Sequence, residues 1–360
     1  MLTDKDPRSP LMRAIACALP ENYYAQEVLT AALWQTWGGG EEGRTRFERI
    51  HRAVGVRGRH LALPMTAYPE LGSFAKANDA WIRIAAELGT SALEGALRGA
   101  ELTPADVDHL FFTTVTGIAA PSIDARLINR LAMRSDIKRT PIFGLGCVGG
   151  AAGVARAADY LLAFPDQVAV LLSIELCSLT LQFGDRSIAN TIATGLFGDG
   201  AAAVVLCGGA RETNGVLPRI IASRSVFFPN TEDLMGWEVV ETGFQVVLAA
   251  GVPDLIRETL RTSVDAFLAQ HNLSRSKITH WIAHTGGPKV LEAIEAALEL
   301  PRCALGLSWQ SLAKVGNLSS ASVLFVAAEM LESKVAHPGE YGVLLAMGPG
   351  FCGELVLLRW

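Results

Sequence analysis

Short apolar runs alternate with longer amphipathic stretches along most of this chain, and no other feature restricts its fold as strongly. Residues 80–98 place apolar side chains at helical spacing, and the apolar run 107–112 follows. A helical segment at 123–131, a short strand at 141–144 and a helix at 148–162 continue the order. Helices between buried strands are typical of an α/β fold in which helices cover the sheets.

The second half of the chain repeats this order. His280 lies 171 positions after His109 in a similar apolar run. The strand predicted at 168–172 is matched by another at 341–345. The spacing therefore indicates two similar βα units within one chain.

The repeat also pairs two turns that precede small-residue helices. The offset of 171 places Cys147 opposite Leu318, directly beside Asn317. We therefore predict two similar halves, residues 1–210 and residues 211–360, with the cysteine in the first and the asparagine in the second.

Composition excludes several classes of protein. Hydrophobic residues make up 50% of the chain and charged residues 19%, which is enough apolar surface to offset chain entropy. The longest uncharged stretch, 140–155, has 16 residues and is broken by glycines, so we predict no membrane span. The net charge is −5 and no long basic block is present, so we predict no nucleic-acid partner.

The six cysteines are scattered, and none forms a C-x-x-C pair. This spacing predicts neither a disulfide framework nor a zinc site, and we expect no metal. Residues 1–8 mix charges of both signs and lack the apolar core of a secretory signal. We therefore expect a reducing, cytoplasmic setting.

Cys147 is the strongest candidate nucleophile. A predicted strand leads into it, glycines surround it, and a helix begins immediately afterwards. The free N–H groups at the start of that helix would favour a thiolate. A buried cysteine in a glycine-rich helix contact is the alternative.

His284 ends a predicted strand and is followed by two glycines and Pro288, which suits the first position of a helix. The carboxyl end of such a strand faces the crevice where α/β folds bind ligands. A purely structural histidine is the alternative here, and it is the interpretation we prefer for His280.

Asn317 precedes another predicted helix, where an asparagine is most often an N-cap. Its position opposite Cys147 in the repeat favours a second role. Cysteine and histidine together supply an activated nucleophile, and histidine with asparagine supplies neutral donors for an oxyanion.

In these motifs the sequence resembles the type III polyketide synthases, the chalcone-synthase-like branch of the thiolase-fold condensing enzymes. The resemblance runs from about residue 44 to residue 360. It rests on Gly146-Cys147 with its glycine run, the blocks 196–202, 284–288 and 316–321, and the ending Gly348-Pro349-Gly350-Phe351. It implies a thiolase-like fold with a layered αβαβα core.

The resemblance also implies a mechanism. Cys147 would carry the growing acyl chain as a thioester. His284 and Asn317 would hold the thioester oxygen of malonyl-CoA during decarboxylation, and His284 would help to keep Cys147 as a thiolate. Such a decarboxylative condensation implies no cofactor besides the CoA substrates, an acyl-CoA starter and malonyl-CoA. Similar enzymes are homodimers, which we expect here as well.

Further residues are assigned by position within the family. Phe197 and Phe244 correspond to two aromatic residues that gate the passage between CoA tunnel and cavity. Arg46 and Arg49 match two of three basic residues that contact CoA phosphates in similar enzymes. The third position is Ala53 here, and Lys289 or Arg52 are the candidates to replace it.

Departures from the family pattern lead to an expected product. Cys177 replaces a threonine of the plant enzymes and Thr180 follows it, while Ala120 replaces a methionine that reaches the partner's cavity. Together with Ser319, these small residues predict room for a medium or long fatty acyl starter, giving alkylpyrones or alkylresorcinols. Val115 stands where naphthalene-forming bacterial members carry a cysteine, which argues against that product.

Three other interpretations remain open from the sequence. A β-ketoacyl-carrier-protein synthase III would share the cysteine, histidine and asparagine but perform a single condensation. An inactive partner subunit would shape the cavity of another synthase. A plain acyl-CoA hydrolase would release free acid without forming a carbon–carbon bond.

Overall fold

The computed structural model of the chain describes residues 9–211 and 215–360, so that the mixed-charge segment 1–8 lies outside the described residues. The strands are β1 (Leu11–Ala18), β2 (Asn22–Ala25), β3 (Gly58–Leu61), β4 (His109–Thr114), β5 (Lys138–Phe143), β6 (Val168–Leu176), β7 (Asp199–Cys207), β8 (Arg219–Phe227), β9 (Met235–Val240), β10 (Gly243–Leu248), β11 (Ile278–Ala283), β12 (Tyr341–Gly348) and β13 (Cys352–Arg359). The α-helices are α1 (Gln26–Trp37), α2 (Glu41–Ala53), α3 (Phe74–Gly99), α4 (Ile123–Arg130), α5 (Gly149–Ala163), α6 (Ile188–Leu196), α7 (Val252–Ala269), α8 (Pro288–Leu298), α9 (Gly306–Val315) and α10 (Ser322–Ser333). None of these described helices is long and apolar enough to cross a bilayer.

The large sheet shows the internal repeat directly. Its nine strands run in the order β11-β12-β13-β8-β1-β7-β6-β4-β5. In the first half β4 pairs with β6 in parallel, and β6-β7-β1 continue antiparallel. In the second half β11 and β12 are parallel, and β12-β13-β8 are antiparallel in the same way. The repeat predicted from sequence spacing is therefore a repeat of strand pairing.

Strand β6 explains how the first half is layered. Its side chains alternate between the two faces of the sheet, as the two-residue period of a strand requires. Val170 and Leu172 join a core cluster with helix α3, including Trp81. Ala169 and Leu171 join a second cluster built on helices α5 and α10. Because β6 is buried on both faces, its first five residues, 168–172, are all apolar and form a continuous run in the sequence.

Strand β12 repeats this arrangement in the second half. Leu344 and Ala346 face the same central cluster of α5 and α10. Val343 and Leu345 face a third cluster built on helices α7 and α8. The layers are therefore α3, the first-half strands of the large sheet, α5 with α10, the second-half strands of the same sheet, and α7 with α8. This confirms the predicted α/β class and its αβαβα layering.

Two helices begin earlier than the sequence pattern indicates. Helix α2 begins at Glu41, within a glycine-rich stretch. Two glutamates in its first turn favour a helix start, because they lie at the positive end of the helix dipole. The long amphipathic helix begins at Phe74, six residues earlier than the periodicity indicates, and Ser73 caps it by accepting a hydrogen bond from the Lys76 amide.

Strands β9 and β10 form a separate two-stranded ribbon in the second half. Trp237 on β9 is paired with Val246 on β10, and Val239 is paired with Phe244 two positions further along. The sequence reasoning did not predict this ribbon. It matters because it supplies one wall of the site described below.

Candidate active site

Cys147 and Asn317 lie on matching turns of the two halves. Cys147 is in a 3-10 turn, Gly146–Val148, between β5 and α5. Asn317 directly precedes Leu318, the N-cap position of the equivalent turn, Ser319–Ala321, ahead of α10. Each turn starts one of the two central helices of the molecule, so both side chains reach the middle layer.

Glycine allows these two turns to touch. A Cβ atom on Gly150 would lie 2.2 Å from the carbonyl oxygen of Ser320. A Cβ atom on Gly146, whose φ is +53°, would lie 2.6 Å from Cδ of Pro349 in the C-terminal Gly-Pro-Gly loop. The glycine run and the C-terminal motif therefore serve one purpose, which is close backbone packing around Cys147.

His284 completes the group from the end of β11. Its amide donates to the carbonyl oxygen of Leu345 at 3.0 Å, which extends the parallel pairing with β12 by one residue. Side chains of Cys147, His284 and Asn317 line one cavity of about 60 Å³, which we call the catalytic cavity. Distant parts of the sequence thus meet as predicted.

The Cys147 side chain is deeply buried, at 8% exposure. Its Sγ donates to Oγ of Ser319 over 3.8 Å. Burial raises the pKa of Cys147 to about 12, and hydrogen bonds from Ser319 and Asn317 oppose this only in part. Burial therefore favours the protonated thiol at neutral pH.

The imidazole of His284 is 4% exposed, and neither ring nitrogen has a hydrogen-bond partner within the described residues. Burial lowers the pKa of His284 to about 3. Buried polar nitrogens normally find partners, so two free ones inside a cavity indicate a place for a bound molecule. Burial penalises the charged forms of Cys147 and His284. The structure therefore favours a neutral thiol beside a neutral imidazole, and not the expected thiolate.

The Asn317 carboxamide is held in one orientation by the turn that follows it. Its Oδ1 accepts from the Ser319 amide at 2.8 Å and from the Ser322 hydroxyl at 3.2 Å. Asn317 is not the N-cap residue, since Leu318 holds that position in the turn and Ala321 holds it in α10. Its Oδ1 instead closes a short side-chain turn onto the Ser319 amide, and the carboxamide also hydrogen-bonds to the Cys147 thiol.

A buried carboxyl beneath the cavity was missed by the sequence reasoning. Glu175 accepts hydrogen bonds from the Thr116 hydroxyl at 2.8 Å, from the Val115 amide at 3.1 Å and from the Ser320 hydroxyl. Burial raises the pKa of its carboxyl. A single acidic residue within the apolar strand β6 was the signal that could have revealed it.

Phe197 lines the catalytic cavity as predicted, but Phe244 does not. Trp237 and Val246 line it instead, because Phe244 lies two pairs further along the ribbon. The Phe244 ring is buried against Phe74, with ring centroids 5.2 Å apart. Val246 lies two residues after Phe244, on the same face of the strand, and is the residue of β10 that reaches the cavity.

Comparison with known proteins identifies the family. The model of the N-terminal domain of chalcone and stilbene synthases matches residues 6–210, and the model of their C-terminal domain matches residues 219–360. The chain belongs to the chalcone and stilbene synthase family. It is a type III polyketide synthase, an acyltransferase that forms carbon–carbon bonds between CoA thioesters and condenses malonyl-CoA.

Similar proteins agree in sequence and in structure. The chain is 53% identical over 354 residues, covering 98% of itself and 94% of the relative, to a 1,3,6,8-tetrahydroxynaphthalene synthase of Streptomyces peucetius. A synthase of the same name from Streptomyces coelicolor is 33% identical over 87% of this chain and 82% of its own. The crystal structure of a tetrahydroxynaphthalene synthase from that species has a TM-score of 0.92 at 29% identity, covering 97% of this chain and 99% of the other.

The remaining predicted residues of this synthase fall in three places. Cys177 and Ser319 line the catalytic cavity, as does Val115. Thr180 lines a neighbouring cavity instead, and its hydroxyl donates to the Cys177 carbonyl at 2.8 Å. Ala120 is exposed in the single chain and lies on neither cavity, so it provides no room for a starter there.

The basic residues predicted to contact CoA are all exposed. Arg46 and Arg49 are on the outer face of helix α2. A Cβ atom on Gly55, just beyond that helix, would lie 3.4 Å from Cγ of Pro288 at the start of α8, so the end of α2 and the start of α8 are neighbours. Lys289 follows and is exposed, whereas the next residue, Val290, lines the catalytic cavity.

Proposed function

We propose that this synthase uses malonyl-CoA as starter and extender and forms a polyhydroxylated naphthalene. The observation that carries the proposal is the 53% identity over 98% of the chain to the Streptomyces peucetius synthase named for that product. A tetrahydroxynaphthalene skeleton corresponds to five two-carbon units, and its name contains no alkyl substituent. A fatty acyl starter would leave such a substituent on the product.

The fatty acyl starter expected from small cavity residues is therefore not supported. The bulky Trp237 lines the catalytic cavity. Val115 in place of a cysteine argues against a naphthalene product, but the named relatives favour that product. Pocket residues compared one at a time were a weaker guide than similarity over the whole chain.

Cys147 is the proposed nucleophile. Its sulfur attacks the thioester carbon of malonyl-CoA, the carbon–sulfur bond to CoA breaks, and the thiol proton passes through His284 to the departing CoA sulfur. A neutral imidazole is suited to this transfer, because it can accept the proton and return it within one step. The acyl group then remains on Cys147 as a thioester.

His284 and Asn317 are the proposed oxyanion donors for the second malonyl-CoA. A ring N–H of His284 and the Asn317 amide donate to its thioester oxygen while carbon dioxide leaves. The electron pair of the broken bond becomes an enolate, which attacks the acyl carbon on Cys147 and releases the sulfur. Neutral donors in a buried cavity stabilise such developing charge strongly, because water does not compete with them.

Family membership also decides between the open interpretations. A single-condensation enzyme of the carrier-protein type, an inactive partner subunit and a hydrolase are not favoured, since both halves match the models of condensing enzymes that act on CoA thioesters. The nucleophile and both donors are present in one cavity. An inactive subunit would not need them.

Arg46, Arg49 and Lys289 are proposed to bind the phosphates of CoA, with Arg52 as a further candidate. Their support is exposure and positive charge, and for Lys289 its place next to Val290 in the cavity lining.

We also propose a homodimer. The exposed Ile118 and Phe143 follow or end the neighbouring strands β4 and β5 and would be covered by a second copy. Analytical ultracentrifugation tests this assembly.

We also propose a cytoplasmic setting, which is consistent with six unpaired cysteines.

The deciding experiment supplies purified protein with malonyl-CoA alone, and separately with malonyl-CoA plus octanoyl-CoA. We expect the naphthalene product, identified by mass spectrometry, from malonyl-CoA alone and in equal yield when octanoyl-CoA is present. Products that carry the octanoyl chain as the main species, or no product without it, would overturn the proposal. The variant Cys147→Ala controls for non-enzymatic condensation.

A further inference from the structure

Arg59 is a buried cation that contacts the lining of the catalytic cavity and has no part in the mechanism proposed above. It lies on strand β3 and is 3% exposed. Burial lowers the pKa of its guanidinium to about 10, so the side chain stays charged at neutral pH. A buried charge is costly unless it is hydrogen-bonded and balanced by an opposite charge, so its contacts indicate its role.

The guanidinium of Arg59 holds Phe197 by its backbone. Nη1 donates to the Phe197 carbonyl oxygen at 2.6 Å. Asn317 holds the other edge of the same residue, because the parallel bridge between them uses the Leu196 carbonyl and the Gly198 amide. Phe197 is extended, so its own carbonyl points away from the edge that pairs with Asn317. Phe197 is therefore fixed from two sides.

The apolar stem of Arg59 lies against the turn that carries Asn317. A Cβ atom on Gly316 would lie 3.2 Å from Cδ of Arg59 and 2.5 Å from the Leu196 carbonyl oxygen. Gly316 has a φ of +79°, which favours glycine, and its missing side chain lets the stem reach the main chain. One side chain thus contacts both the residue before Asn317 and the residue bridged to it.

Asp199 supplies the opposite charge and ties the same segment to the end of β3. It is 0% exposed, and its carboxylate accepts from the Ala62 amide at 2.5 Å and from the Ser178 amide at 2.8 Å. Burial raises the pKa of this carboxyl to about 6, and the charge of Arg59 opposes that rise. Arg59 and Asp199 therefore anchor the two ends of the segment 197–199, within the sequence block 196–202.

We propose that Arg59 is a positioning residue for decarboxylation, which fixes the main chain of Asn317 through Phe197 and Gly316. The Asn317 amide stabilises the enolate only while its nitrogen points at the thioester oxygen, so a shift of its turn weakens the oxyanion site. Arg59 does not line the catalytic cavity, so its effect passes through Asn317. This inference rests on the proposed function, because it takes Asn317 as an oxyanion donor.

The test compares Arg59→Met with Arg57→Met as matched control. Methionine keeps an apolar stem against Gly316 but removes the donor to Phe197, whereas Arg57 lies two residues earlier and is exposed. Labelled carbon dioxide released from saturating malonyl-CoA measures decarboxylation, and intact mass measures acylation of Cys147. We expect Arg59→Met to slow decarboxylation about tenfold to a hundredfold, as small misplacements of a catalytic group do, and to change acylation much less. Arg57→Met leaves both rates unchanged.

A double-mutant cycle shows whether Arg59 acts through Asn317. In Asn317→Ala the amide is already absent, so adding Arg59→Met should lower decarboxylation by less than about twofold more. Losses that multiply in the double variant would show that the two residues act independently and would overturn the proposal.

Folding is monitored by the melting temperature of each variant. If Arg59→Met is unfolded, Arg59→Lys takes its place in the cycle, because an ammonium still balances Asp199 but lacks the planar fork that reaches Phe197. The same selective loss of decarboxylation is expected. A folded variant in which both steps fall equally, or neither falls, overturns the inference. Failure of the proposed function is seen separately, as an Asn317→Ala variant that decarboxylates malonyl-CoA at the wild-type rate.

Discussion

Phe197 and Asn317 are joined backbone to backbone by a parallel β-bridge. The Gly198 amide donates to the Asn317 carbonyl at 2.9 Å, and the Asn317 amide donates to the Leu196 carbonyl at 2.9 Å. The aromatic wall of the cavity and the proposed oxyanion donor therefore move as one unit. A change that displaces this wall is expected to affect decarboxylation as well as access to the cavity.

Cys147→Ala is expected to abolish acyl loading, because it removes the sulfur that attacks the thioester carbon. His284→Gln is expected to lose most of the loading and to keep part of the decarboxylation, since glutamine cannot relay the thiol proton but can donate a hydrogen bond to the thioester oxygen. Intact mass spectrometry after incubation with malonyl-CoA measures loading, and the exposed Cys303→Ala is the control. An acyl adduct on Cys147→Ala would refute the assignment.

Asn317→Ala is expected to lower the rate of malonyl-CoA decarboxylation about a hundredfold to a thousandfold, the usual effect of removing one oxyanion donor. Loading of Cys147 should change much less. Release of labelled carbon dioxide measures the first step and intact mass the second. Equal losses in both steps would instead indicate that Asn317 only supports the turn before α10.

Replacing Arg46 and Arg49 together by alanine is expected to raise KM for malonyl-CoA about fivefold with little change in kcat, as exposed charge contacts contribute up to about 1 kcal/mol. The effect should shrink at high salt. Arg44→Ala is the control, because Arg44 lies on the same helix but is paired with Glu48 at 2.8 Å. Equal KM values for the double variant and for Arg44→Ala would show that the CoA phosphates do not bind at Arg46 and Arg49.

Alkylation of Cys147 by iodoacetamide is expected to accelerate about tenfold per pH unit between pH 7 and pH 9, because only the thiolate reacts. The physical reason is burial, which raises the pKa of Cys147 to about 12. Peptide mass mapping separates this site from the other cysteines. A rate that is already constant below pH 7 would show a thiolate paired with a charged His284.

Stability is expected to fall in mild acid because two histidines are buried in the neutral form. Burial lowers the pKa of His51 and of His284 from 6.5 to about 3. A depressed folded-state pKa gives stability that is complete above the unfolded pKa and is lost as the pH falls toward the folded value. Each histidine should therefore remove about 2 kcal/mol from the free energy of unfolding between pH 6.5 and about pH 5.

Urea titration at several pH values checks this dependence. The variant His51→Gln should show a slope against pH that is smaller by about one proton, whatever its absolute stability. The difference in slopes removes the contribution of carboxyl groups, which both proteins share. Identical slopes would mean that His51 is protonated in the folded protein.

The sequence by itself determined the class of fold, the internal repeat and the three residues placed in the cavity. These depend on local signals. The short apolar runs in β6 and β12 are typical of strands buried on both faces of a sheet. The glycines around Cys147 indicate a turn with close backbone packing. Motifs of this kind are read along the chain, so they are visible without coordinates. The position of helix α3 within six residues follows for the same reason.

Only the tertiary structure decided which side chains share a cavity. Phe244 and Val246 lie on the same face of β10, so the alternation of the strand does not distinguish them. The fold packs Phe244 against Phe74 and places Val246 with Phe197 in the lining of the catalytic cavity. Glu175, Trp237 and the neutral state of the Cys147 and His284 side chains depend on burial and on contacts between distant segments. Such contacts are set by how the layers pack in three dimensions, which residue spacing does not record.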